Sequence, residues 1–174
     1  MSTIYIAIDP GKHGSIAVME GNKIETYPMP LVKTELDYHE LAKIIGSNTL
    51  RSDTNKIHLI FEKLGVIFGT SKATAFSMGE QCGAIEMACI ANHIPYTKIR
   101  PIVWQKEMLQ GVDEVTKSSI SGKKQVRDTK AMALIAIKRI FPELKLTFGK
   151  VALKPHDGLI DAVLMAEYAR RKNL

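Results

Sequence analysis

The sequence predicts an α/β fold: a mixed five-stranded sheet with helices on both faces. Three observations lead there. The chain opens on period-two apolar alternation, strand-like and helix-like stretches then follow one another, and the strands fall as three in succession, then one, then one, with helical segments between them.

In the opening stretch Ile4, Ile6 and Ile8 share one face, Pro10-Gly11 makes a turn, Gly14 to Met19 forms a second strand, and Gly21-Asn22 turns into a third at Lys23 to Tyr27. This reads as an antiparallel meander. Leu36, Leu41, Ile44 and Ile45 recur at helical spacing, so a helix is expected from Glu35 to about Ile45 with Thr34 as its cap. Lys56 to Phe61 is a short apolar strand that ends at Glu62. A long helical pattern covers Ser71 to His93, with Phe76, Met78, Cys82, Ile85, Met87, Cys89 and Ile90 as its apolar members. A strand follows at Tyr96 to Ile99, then a short helix carrying Val103, Trp104, Met108 and Leu109. Gly111 to Arg127 is polar, basic and aperiodic, which predicts a mobile loop. Two further helices are expected, Thr129 to Phe141 and Asp157 to about Arg171. No internal repeat or linker interrupts this order, so residues 1–174 are read as one domain.

With 174 residues and 45% hydrophobic content, the chain can bury one proper core. Its 24 Lys and Arg outnumber 18 Asp and Glu, a net charge of +6 that favours a polyanionic partner without proving one. No signal peptide and no apolar run of membrane-spanning length is visible, so a cytoplasmic protein is expected, in the host cell if the gene is a phage's. Cys82 and Cys89, seven apart on one helix, are too distant for a disulfide and read as core residues. The tryptophan, Trp104, reads the same way, although a DNA contact beside Gln105-Lys106 is the other option.

Four acids stand where a structural role is hard to assign. Asp9 ends the first apolar strand, Glu62 ends the fourth, and Asp157 and Asp161 open the last helix one turn apart, about 5 to 6 Å between Cβ atoms. Carboxylates beside apolar runs need compensation, and a divalent cation supplies it. Two Mg²⁺ ions (Mn²⁺ as a substitute) held by such oxygens suit phosphodiester hydrolysis, whereas no Cys/His set has zinc spacing. Each acid also has a purely structural explanation: Asp9 as a turn former, Glu62 as a partner of Lys63, Asp157 as a cap or first-turn acid. Asp161 resists that reading best, because it interrupts the apolar run from Leu159 to Leu164.

Ile8-Asp9-Pro10-Gly11 with Gly14 to Val18, Ile60-Phe61-Glu62-Lys63, and Asp157 to Ala166 resemble, in order and spacing, the motifs of RuvC-type Holliday-junction resolvases of the ribonuclease H-like superfamily. The segment from Ala75 to Gly83 resembles that family's glycine-spaced helix, which allows close approach of a helix or DNA. The resemblance spans nearly the whole chain, and the Lys154-x-His156-Asp157-Gly158 form is closer to phage-type members. It implies a homodimer that nicks a four-way junction in pairs, leaving 5′-phosphate and 3′-hydroxyl ends, with Asp9, Glu62, Asp157 and Asp161 holding two Mg²⁺ or Mn²⁺ ions. One departure is visible: bacterial members commonly space the last two acids three apart, and here Gly158 takes that place. His156 thereby becomes a candidate ligand or proton-transfer helper, with a capping or surface role as the alternative. By position, Phe68 is the family's wedge at the bases, unless it packs under its own loop. Lys130 matches a functional lysine, and Lys123, Lys124 and Arg127 are candidate phosphate contacts, though solvation explains such charges too.

Other functions fit less well. An actin-like kinase shares the Asp9-x-Gly11 and Gly14-Ser15 pattern, but it needs two such domains and a longer chain. No Walker or dinucleotide fingerprint occurs, so no nucleotide cofactor is expected. A non-catalytic nucleic-acid module is disfavoured because all four acids are present. The runner-up is a ribonuclease H-like nuclease with broader specificity for branched DNA, flaps or RNA-DNA hybrids, which the acids alone do not distinguish.

Overall fold

The computed structural model describes residues 3–50, 56–63, 65, 71–119, 122, 124–149 and 151–174, with only the backbone at position 50. In chain order the elements are β1 (Thr3–Asp9), β2 (Ser15–Glu20), β3 (Lys23–Pro28), β4 (Leu31–Val32), β5 (Glu35–Leu36), α1 (Tyr38–Leu50), β6 (Lys56–Glu62) and α2 (Lys72–Ala91). They continue with β7 (Tyr96–Ile99), α3 (Pro101–Met108), β8 (Thr116–Ser118), β9 (Gln125–Arg127), α4 (Thr129–Ile140) and α5 (Asp157–Lys172).

Five strands form one mixed sheet in the order β3-β2-β1-β6-β7. The meander β1-β2-β3 is antiparallel, and β6 and β7 extend it in parallel on the other side of β1. Period two then divides β1 between two cores. Ile4, Ile6 and Ile8 point to a layer with Leu41 and Ile45 of α1 and Ile85 and Cys89 of α2. Tyr5 and Ala7 point to a second layer with Trp104 of α3, Met132 and Ala136 of α4, and the inner face of α5. Helices therefore cover both faces, as the alternating pattern predicted.

Two local readings are corrected. The segment at Glu35 is not the start of a helix: β4 and β5 form a small hairpin through Lys33, at a positive φ of 57°. Asp37, not Thr34, starts α1, its carboxylate accepting the Glu40 N–H at 3.0 Å and its carbonyl that of Leu41 at 2.9 Å. The helix then runs to Leu50, past the expected end near Ile45. Within Gly111 to Arg127 the expected loop holds a hairpin, β8 against β9, tied to Asp128 by Lys117 at 3.1 Å. Every residue of those two strands is exposed, so no apolar alternation announces them. Helix α2 also departs from a simple inward stripe. It buries Gln81, Ile85 and Cys89 but leaves Phe76, Met87 and Ile90 in solvent. Among the described residues, no atom outside the helix's own backbone and the adjoining residues lies within 4 Å of where a Cβ on Gly79 or Gly83 would be, so its glycine-spaced face is open. Among the described residues no helix is long and apolar enough to cross a membrane.

Because Ile6 is fully buried on the central strand, Ile6→Ala should cost about 2–5 kcal/mol in urea unfolding. Ile135→Ala, on the half-exposed side of α4, should stay within about 0.5 kcal/mol. Equal losses at the two positions would contradict the layer assignment.

Candidate active site

The site lies at the carboxyl end of the parallel strands, where α/β sheets open a crevice. Register pairs Ile8 of β1 with Phe61 of β6, so Asp9 and Glu62 are the next residues on two adjacent strands. Helix α5 crosses the same end of β1 and β2. Its first turn comes close because Gly158 has no side chain: a Cβ there would lie 2.5 Å from the His13 carbonyl oxygen and 2.9 Å from Asp9 Oδ2. Gly14 makes the complementary approach, since a Cβ on it would overlap the Asp9 carbonyl oxygen. This contact explains the glycine between the last two acids: a carboxylate at 158 would occupy the space of the 9–14 turn.

The four acids thus share one electrostatic neighbourhood. Asp9, Glu62 and Asp161 are half-buried and Asp157 is exposed. Burial pushes the Asp9 carboxyl up to about 8, with the charges of Asp161 and Glu62 adding to the rise and Lys130 opposing it. Asp161 is raised to about 7 by burial, Glu62 and Asp157, again against Lys130. Glu62 is raised by burial and eased by the indole of Trp104, whose Nε1 donates to Glu62 Oε2 at 3.4 Å. Lys130 is itself engaged, 2.6 Å from Asp157 Oδ2.

A third acid on α5 shows how this chain stabilises a buried carboxylate with its own side chains. Glu167, only 1% exposed, receives Arg170 Nε at 2.7 Å, Arg170 Nη2 at 2.8 Å and Arg171 Nε at 2.8 Å. Burial raises its pKa, and the two guanidinium groups outweigh burial and bring it below the usual value. Asp9 and Asp161 receive no hydrogen bond among the described residues. Their oxygen-only donor set suits a hard divalent cation. Among the described residues, no three His, Cys, Asp or Glu side chains are grouped closely enough to hold a metal ion as they stand.

The other expected residues divide. His156 is the N-cap of α5: its Nδ1 accepts the Leu159 N–H at 3.1 Å, Ser15 Oγ lies 3.5 Å away, and Phe148 packs edge-on at 5.0 Å. The capping alternative therefore holds for that nitrogen. Lys130 lines the acidic cleft, whereas Lys124 and Arg127 lie on the exposed β8-β9 hairpin. Phe68 and Lys123 lie outside the described residues. Trp104 is fully buried core, as its hydrophobicity suggested, and it also holds Glu62.

Two residues of the site escaped the sequence reading. Gln81 is 3% exposed, and its Oε1 accepts the Gly11 N–H at 2.8 Å, pinning the turn that carries Asp9. Ser77, one turn earlier on α2, takes the Gln81 amide at 3.5 Å. The sequence offered no signal for them, because Gln81 stands on α2 beside Ser77, Glu80 and Glu86 and only the structure shows it to be the buried one of these. Together these elements enclose a cleft of about 630 Å³, walled by α2 on one side and by Lys130, Asp157 and Asp161 on the other.

Fold and site define a ribonuclease H-like α/β protein with an acidic cleft at the strand ends. Comparison with solved structures agrees on the fold. Thermus thermophilus RuvC superposes with a TM-score of 0.53 at 15% identity, covering 98% of this chain and 97% of that one. The same protein in complex with a Holliday junction substrate gives 0.51 at 14% identity, over 98% and 96%. YeaZ from Pseudomonas aeruginosa gives 0.47 at 12% identity over 98% and 95%, a likeness too weak to argue from. No protein-family model matches the sequence, and no curated protein matches it. The fold is RuvC-like, and at these identities the likeness speaks for the fold alone.

The raised carboxyls set a pH dependence in chelator. Below about pH 4 Asp9 and Asp161 are protonated whether folded or not. As pH rises, the unfolded chain releases these protons first, so folded stability falls up to the folded values near 7 and 8. Asp161→Asn removes part of that loss. Its melting temperature should exceed the parent's at pH 8 by about 2–4 °C, on the order of 1 kcal/mol, with the gap closing towards pH 4. A gap that widens on acidification would show the carboxylate to be stabilised in its charged form.

Proposed function

We propose that the chain is a divalent-metal-dependent endonuclease that resolves four-way DNA junctions as a homodimer. The observation that carries this reading is the pair of uncompensated, half-buried carboxylates, Asp9 and Asp161, flanked by Glu62 and Asp157 at the mouth of a cleft. Glu167 on the same helix shows that this chain does satisfy a buried acid where only stability is at stake. The RuvC-like fold supports the choice of substrate, because one protein sharing it has been seen with a Holliday junction substrate. The net charge of +6 suits a polyanion.

Asp9, Glu62, Asp157 and Asp161 would hold Mg²⁺ or Mn²⁺, which when bound supplies Lewis-acid stabilisation of charge building on the phosphate oxygens. The protein's own contributions follow from its geometry. Strands β1 and β6 hold two of the acids on rigid neighbouring backbones, and the Trp104 indole fixes the orientation of the Glu62 carboxylate. Gln81 holds the 9–14 turn. Lys130, on the rim of the cleft, is placed to meet a phosphate once Asp157 is otherwise neutralised. His156 keeps the α5 N-terminus in place through Leu159.

In Mg²⁺, a synthetic four-way junction should receive symmetrical paired nicks, while Asp9→Asn and Asp161→Asn lose cutting by at least about a hundredfold and keep junction binding. Cutting by either variant near the parent rate would remove its acid from the site. Equal or better cutting of a flap or RNA-DNA hybrid would move the function to a less selective ribonuclease H-like nuclease. Trp104→Phe keeps an aromatic in the core but deletes the donor to Glu62, so it should lower the cleavage rate about 10- to 100-fold. More Mg²⁺ should partly restore it. A parent-like rate would confine Trp104 to packing.

A further inference from the structure

A second groove, about 530 Å³, adjoins the acidic cleft and shares Lys12, Ser77 and Gln81 with it. Its other walls include Glu35 of the β4-β5 hairpin, Tyr38 at the start of α1, and Phe76 and Glu80 of α2. Phe76 is 69% exposed and Tyr38 50%. One exposed aromatic means little by itself, since folded proteins leave much apolar surface in water. Two that line one groove opening onto a candidate nuclease centre are a different observation.

The charges narrow what the groove can take. Glu35 and Glu80 are both exposed and line it, and Lys12, also exposed, stands where it meets the acidic cleft. A phosphate deep in the groove would meet two carboxylates, whereas one at its junction with the cleft would meet the lysine. A flat ring bearing amino groups meets no such conflict: its faces stack on aromatic side chains and its exocyclic N–H groups donate to carboxylates.

Resting on the nuclease reading above, we propose that this groove receives an unpaired nucleobase of the strand being cut, stacked on Phe76 and Tyr38. Glu35 and Glu80 read its edge, and Lys12 holds the phosphate that links it to the scissile position. The groove thereby favours adenine, cytosine or guanine over thymine, which has no exocyclic amino group. This is a source of sequence preference at a nucleotide next to the cut, separate from the acids that perform it.

The test uses a four-way junction with 2-aminopurine at an unpaired position beside the crossover, bound to the Asp161→Asn protein so that no cutting intervenes. Stacking in the groove should quench the fluorescence on binding. Adding Phe76→Ala or Tyr38→Ala should abolish the quench and weaken binding about 5- to 100-fold. Lys124→Ala, on the β8-β9 hairpin and not among the residues that line the groove, should weaken binding and leave the quench intact. In the cleaving parent, Glu80→Gln should narrow the difference in rate between junctions carrying cytosine and thymine at that position. Parent-like quenching and base preference in the Phe76, Tyr38 and Glu80 variants would overturn the subsite while leaving the nuclease reading standing. Failure of the starting protein to bind any branched DNA would remove both. Conversion of a dimer to monomers by Phe76→Ala in sedimentation would show that a second copy covers the groove, and would also overturn the subsite.

Discussion

The acidic end of the molecule depends on how closely α5 lies against the turn that follows β1. Backbone meets backbone there, at Gly158 on one side and at His13 and Gly14 on the other, with room for no side chain between them. That approach brings Asp161 from the last helix near Asp9 from the first strand, although 152 positions separate them in sequence. It also sets the cost: burial, with the charges of the neighbouring acids added to it, raises the Asp9 and Asp161 carboxyls. Packing and charge are therefore a single feature. The fold is drawn tight where its acids are costly to ionise, a local conflict of the kind that proteins keep at functional or strained sites.

The same helix illustrates both ways of treating a buried acid. At its far end Glu167 is enclosed by two arginines from its own last turns, a local solution at i+3 and i+4 that needs no partner from outside. At its near end Asp161 has nothing comparable, and Lys130, whose charge opposes the rise of its pKa, is engaged by Asp157. The contrast is the observation on which the proposed cation site rests. Around it, the supporting residues are conventional in their chemistry: an indole N–H on Glu62, a glutamine on the 9–14 turn and a histidine capping the helix that carries two of the acids. Each converts a flexible polar group into a fixed one, which a positioned reaction centre requires.

The position of the acids follows from the parallel part of the sheet. Since β1 and β6 run in the same direction, their carboxyl ends open together, and neighbouring residues on the two strands come out side by side. An antiparallel partner would have placed the second acid at the opposite edge. Helices α1 and α2 cover one face of the sheet and α3 to α5 the other, and the acids come out at this end. Both grooves lie there, joined at Lys12, Ser77 and Gln81.

The sequence by itself determined the five-stranded sheet and the order of the elements that build and cover it, and it singled out four acids beside apolar runs. These are written in local patterns: period two in Ile4-Ile6-Ile8, helical spacing in α4 and α5, and acids that interrupt apolar runs. It misplaced the start of α1, because Leu36 fits the helical register although its backbone belongs to a hairpin, and it read β8 and β9 as a loop, because fully exposed strands carry no hydrophobic alternation. Only the tertiary structure decided which charges are compensated and which are not, that Trp104 reaches Glu62, and that Gln81 holds the turn beneath Asp9. Those facts depend on which atoms meet across long stretches of chain. Hydrophobic pattern specifies which face of an element turns inward, but not what it finds there.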